Sequence, residues 1–255
     1  MRLAFFLLIT LLSGTLAIAQ EPTKTIHVFV ALCDNDNQGI VPVPKKLGNG
    51  NDPGNNLYWG ALYGIKTYLK KSKDWDLLAT SKNPTHDILE RAIFRHKESD
   101  AYLVAEAYRG EKIRKAIVDF LNAAAGNDSR LLKLGEDHIR INGGSDLVVY
   151  VGHNGLMDFN IEETKRSRYN KANDAIVLAC KSKPYFQPRF SKLGCASILL
   201  TTGFMAPEAY SLKAAIDGWL TGESGKQVRE RAADSYHKFQ KCGLNAARRL
   251  FYSDE

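Results

Sequence analysis

Short apolar runs alternate with longer amphipathic stretches along most of this chain. Residues 26–32 (IHVFVAL) read as a buried first strand. A polar loop follows over 33–56, rich in Asn, Asp, Gly and Pro. Residues 56–70 predict a helix, with Leu57, Ala61, Ile65 and Leu69 on one face and Asn55 or Asn56 as its cap. A second strand is expected at 75–80 and a helix at 84–94, begun by Thr85 or Asp87. A third strand is expected at 101–108. Residues 111–125 predict a helix with Ile113, Ile117, Phe120 and Leu121 inward and Gly126 as its stop. Residues 131–141 fit a small hairpin or accessory strands. Strands four and five are 147–152 (LVVYVG) and 175–179 (AIVLA), and a sixth is 197–202. Helices close the chain at 208–220 and 227–251.

Strands that alternate with helices predict a mostly parallel sheet of six strands, covered on both faces through right-handed crossovers. The connection over 156–174 is too polar for a regular crossover helix. The loop after the first strand is longer than a connection requires, which points to function. No internal repeat or domain break is evident.

The N-terminus follows another pattern. Arg2, the apolar run 3–12 and the small residues Ala17 and Ala19 read as a secretory signal peptide over 1–19, cleaved before Gln20. Residues 20–255 then form a single domain, exported to the periplasm or the extracellular space. No integral membrane segment is expected after cleavage. The composition, 44% hydrophobic and 25% charged, is that of a globular protein. The net charge of +7 could favour acidic surfaces. The basic residues lack an aromatic-interleaved stripe, so no nucleic-acid partner is expected.

Chemistry is concentrated at two strand ends. Strand four runs into His153, Asn154 and Gly155, and strand five into Cys180. In parallel strands both ends lie on the carboxyl rim, where open α/β sheets place ligands. A thiol beside an imidazole is the minimal apparatus for thiol nucleophilic catalysis. Lys181 and Lys183 would lower the thiol pKa. Cys33, Cys195 and Cys242 complete an even cysteine count, and a Cys33–Cys180 disulfide is the structural rival to a catalytic Cys180. Asp158 could meet a basic substrate side chain or be a solvated turn residue. Asp34, Asp36 and Gly39 in DNDNQG echo a calcium loop, but Lys45 stands where its bidentate Glu belongs. Turn chemistry explains those residues, with a structural calcium as the alternative. No other metal or cofactor is expected.

The segments VVYVGHNG and AIVLAC resemble the apolar-His-Gly and apolar-Ala-Cys blocks of the caspase-like cysteine peptidases, the group of caspases, legumain, clostripain, gingipains and separase. Here Asn154 separates His153 from Gly155. The resemblance implies a caspase-like three-layer sandwich and cleavage of peptide or protein substrates. It implies Cys180 as nucleophile, His153 as acid–base, and the Gly155 and Cys180 N–H groups as oxyanion donors. Asn154 could supply a side-chain donor instead. The alternative is a catalytically inactive caspase-like module that binds a peptide or protein at the same rim.

Overall fold

A computed structural model describes residues 23–254. The expected signal peptide lies outside the described residues. The chain is α/β, with one large mixed sheet flanked by helices. The first strand, β1 (Lys24–Ala31), leads through the long loop to α1 (Ile65–Lys71). Next come β2 (Trp75–Lys82), β3 (Ile88–His96), β4 (Ala101–Tyr108) and α2 (Ile113–Ala124). The hairpin β5 (Arg130–Leu134) and β6 (Asp137–Ile141) forms where expected. The second half holds β7 (Leu147–Val151), β8 (Asp174–Leu178), α3 (Ser182–Leu193), β9 (Ser197–Thr201) and α4 (Ala209–Leu220). It ends with α5 (Gly225–Gln240), α6 (Leu244–Leu250) and β10 (Phe251–Tyr252).

The sheet has eight strands in the order β10-β9-β8-β7-β1-β4-β3-β2, not the expected six. Its five central strands, β9 to β4 in that order, run parallel. The outer strands β10, β3 and β2 join through antiparallel pairing, so the sheet is mixed. Side chains alternate between two cores, as strand geometry requires. Ile26, Val28 and Val30 of β1 face the core covered by α1, α4 and α5. Phe29 and Ala31 face the opposite core, covered by α2 and α3. The hairpin shields Ile93, Tyr102 and Val104 beside it.

Three local expectations are corrected, and one helix is added. Residues 84–94 do not form a helix; 88–96 are strand β3, hydrogen-bonded to β2 on one side and β4 on the other. Pairing on both edges overrides a pattern that fits either period. The helix expected over 56–70 exists only from Ile65. A Cβ on Gly60 would lie 2.3 Å from the carbonyl oxygens of Pro53 and Gly54, so the chain coils tightly there instead. The final helix is two, split by left-handed backbone at Lys241 (φ 56°) and Gly243 (φ 87°). Helix α3 was unforeseen because Pro184 and Pro188 punctuate it. The first of these falls within the opening turn, where proline costs little. The polar stretch between β7 and β8 has no regular helix, as expected. Among the described residues no helix is long and apolar enough to cross a membrane.

One charged group sits deep in the sheet. Glu106 of β4 is buried beside Arg91 of β3, whose Nε donates to Oε1 at 2.7 Å. His27 Nε2 lies 3.2 Å from the other carboxylate oxygen, without straight hydrogen-bond geometry. The Asn142 N–H donates to His27 Nδ1 (3.1 Å), which places the ring proton on Nε2, facing Glu106. Burial opposes the charge on Glu106, but His27 and Arg91 outweigh it and hold the carboxyl at about 2, below its ordinary 4.5. Glu106→Gln is expected to cost about 3 kcal/mol at neutral pH, because Arg91 loses its counter-charge. A depressed folded pKa stabilises above the unfolded value, so the advantage of Glu106 should fade as pH falls from 4.5 toward about 2. Urea melts of both proteins across that range test this; a constant gap would contradict it.

Candidate active site

The β7–β8 register builds the site. Val151 pairs with Leu178, and both strands point the same way. His153 and Cys180 each lie two residues past that pair, on one rim. Chain order also reverses here: β1 leads away toward β4, whereas β7 leads toward β8. Such a switch point opens a crevice at the carboxyl ends of the strands. Gly152 makes the exit from β7 possible. Its φ is 151°, and an added Cβ would lie 3.0 Å from the Ala31 carbonyl oxygen.

His153 is 7% exposed and tightly held. Its carbonyl accepts from the Tyr150 hydroxyl (2.8 Å) and the Gly155 N–H (3.0 Å). Its Nε2 lies 2.6 Å from Asp158 Oδ2, and the Gly39 N–H donates to that same oxygen (3.2 Å). A carboxylate only accepts, so Nε2 carries a proton, and in the neutral ring Nδ1 holds the lone pair. The long loop after β1 is thereby tied to the histidine through Gly39 and Asp158.

Cys180 is partly exposed. The Met205 N–H approaches Sγ at 3.5 Å, and the thiol can donate to the Met205 carbonyl at 3.6 Å. Asn154 ties the two strand ends together: its Nδ2 donates to the carbonyls of Cys180 (2.9 Å) and Lys181 (3.4 Å). Asn154 is fully buried, and its Oδ1 finds no donor among the described residues.

The structure changes three expected roles. The Gly155 N–H is engaged by the His153 carbonyl, so it is not a free oxyanion donor. Gly155 also packs under Phe159, 2.6 Å from where a Cβ would sit. The Asn154 amide is a strand-end tie rather than a substrate donor. Asp158 partners His153 rather than standing as a solvated turn residue or awaiting a substrate base. Of the expected oxyanion donors, the Cys180 N–H remains.

All four cysteines are free thiols. With β7 between β1 and β8, Cys33 and Cys180 leave strands two spacings apart, about 9–10 Å, beyond the reach of a disulfide. Burial pushes the Cys33 thiol up to about 11, against a hydrogen bond from Tyr58. Burial pushes Cys195 up to about 12. Both are therefore protonated and inert at neutral pH.

The long loop is organised by buried amides. Asn56 Nδ2 donates to the Cys33 carbonyl (2.8 Å), and its Oδ1 accepts from the Cys33 N–H (3.0 Å). Gln38 Nε2 donates to the carbonyls of Leu32 (2.8 Å) and Gly110 (3.0 Å). The Asp34 carboxylate accepts from the Asp36 N–H and the Asn37 side chain, which is turn chemistry. Among the described residues no group of three or more His, Cys, Asp or Glu could hold a metal ion. The rim loops also expose Val41, Leu62, Met157 and Phe204. The Phe204 ring lies 4.4 Å from Lys181 Nζ, next to the residue that touches the thiol.

No protein-family model matches this chain, and neither a curated protein nor a solved structure matches it. The chemistry therefore rests on the residues themselves.

Asp158→Asn can put an amide donor where the carboxylate oxygen that fixes the imidazole stood. The variant is expected to populate the Nδ1–H tautomer, seen as a change in the His153 ring nitrogen shifts by NMR. Cys33 and Cys195 should resist iodoacetamide at pH 7 in the same protein. An unchanged tautomer, or rapid labelling of either buried thiol, would contradict the geometry.

Proposed function

We propose that this chain is an exported cysteine endopeptidase that cleaves peptide bonds through Cys180 and His153, on a caspase-like arrangement of the central strands. The observation that carries the reading is the placement of a partly exposed thiol and a carboxylate-anchored histidine on adjacent parallel strand ends. His153 Nδ1 takes the proton of the Cys180 thiol. The thiolate then attacks the scissile carbonyl, forming a C–S bond, and the Cys180 N–H steadies the oxyanion. The C–N bond breaks as His153 returns its proton to the departing amine. Water hydrolyses the thioester, releasing the carboxylic acid and restoring the thiol. Exposed apolar side chains around the rim suit a peptide or protein substrate.

One observation favours a second reading. The Gly155 N–H is already engaged, which leaves the oxyanion site with a single donor from the expected pair. A catalytically inactive module that binds peptide at the same rim would need no such donor.

The deciding experiment digests a diverse peptide library under mild reductant, beside Cys180→Ala. Cleavage by the wild type alone is expected, with loss of at least about a thousandfold in the variant. No cleavage by folded, reduced wild type would overturn the peptidase reading in favour of the binding module.

A further inference from the structure

The chain's positive charge is not spread evenly. Between 162 and 192 there are eight Lys or Arg and three Asp or Glu, a net +5 of the whole chain's +7. Within this stretch β8 is buried in the sheet, while the connection before it and helix α3 after it meet at the surface. The β7–β8 connection leaves Lys165, Arg166, Arg168 and Lys171 exposed. It is fixed in place where the Ser167 N–H donates to the Ala125 carbonyl (2.9 Å) and Asn127 Nδ2 donates to the Lys165 carbonyl (2.8 Å). Helix α3 lies beside it, and Lys192 Nζ reaches Glu163 at 2.6 Å.

Between the two runs a cleft of about 250 Å³. Pro184, Tyr185, Pro188 and Leu193 give it apolar walls, and Arg189 and Lys192 against Glu163 leave it one net positive charge. Arg189 adds to Lys192 in holding the Glu163 carboxyl below its ordinary range, with Lys192 the larger cause. The Arg189 Nε is buried with no acceptor, and Lys192 already holds the nearby Glu163 carboxylate. A buried guanidinium N–H without an acceptor is costly, and the side chain, partly exposed along the cleft, can turn toward a ligand carboxylate.

We propose that this cleft docks an acidic peptide segment, with one apolar side chain between the prolines, one carboxylate on Arg189 and another that takes the place of Glu163 on Lys192. The net charge selects an acidic partner. The proline- and leucine-lined walls select an apolar side chain, which a phosphate backbone does not offer. None of the cleft residues belongs to the His153–Cys180 site, so the docking holds whether or not the chain is a peptidase.

The test uses the full protein carrying Cys180→Ala, so that cleavage cannot consume the probe. A fluorescein-labelled peptide with one Phe between two Glu on each side is titrated by fluorescence anisotropy at low salt. Saturable binding is expected. Replacing Phe by Gly, or all four Glu by Gln, should each weaken it about tenfold. Arg189→Gln should weaken it several-fold, and Lys192→Gln, at a fully surface position, should do so without touching the fold. Three results would overturn the proposal: no binding, equal binding of the Gly peptide or of a thymidine oligonucleotide of equal charge, or binding unchanged in both variants.

Discussion

The parallel pairing of β7 with β8 is the constraint on which the site depends. Val151 faces Leu178, and His153 and Cys180 follow at equal distance. A slip of one residue would turn Val148 and Tyr150 from one core to the other and carry the imidazole away from the thiol. Both strands are buried on both faces, so the register is strongly fixed. The Asn154 amide, held by the Cys180 carbonyl, locks the same register beyond the last strand hydrogen bonds.

Around that pairing, the rim is organised by polar groups that burial makes costly unless they are paired. Asn56 and Gln38 occupy the backbone groups of the long loop, and Asp158 joins that loop to His153. Loop and histidine are thus one mechanical unit: a displacement of Gly39 moves the carboxylate that orients the imidazole. Deeper in the sheet, Glu106 and Arg91 perform a comparable task between β4 and β3, fixing the antiparallel half against the parallel one.

Much of this was legible in the sequence where the cause is local. The continuous apolar runs of β1, β4, β7 and β8 show themselves, because strands buried on both faces need no alternation. Helix α2 shows itself through its stripe of Ile113, Ile117, Phe120 and Leu121. His153 and Cys180 stand out because a polar residue ends each apolar run. What escaped depends on distant partners. Strand β3 is decided by neighbours on both edges, and its Leu89, Ala92 and Ile93 fit a helix as well. Asp158 carries no local mark that distinguishes a turn carboxylate from an imidazole anchor. Asn154 and Asn56 look like turn residues, and only the fold gives their amides buried carbonyls. Helix α3 hid behind its prolines.

The central claim is that His153 and Cys180 form one chemical unit. The most direct measurement is the iodoacetamide alkylation rate of Cys180 near neutral pH, in the wild type and in His153→Ala. A histidine that accepts the thiol proton should make the wild-type rate at least about tenfold faster than the variant's. Equal rates in two folded proteins would contradict the account and leave the two side chains as neighbours without a shared proton.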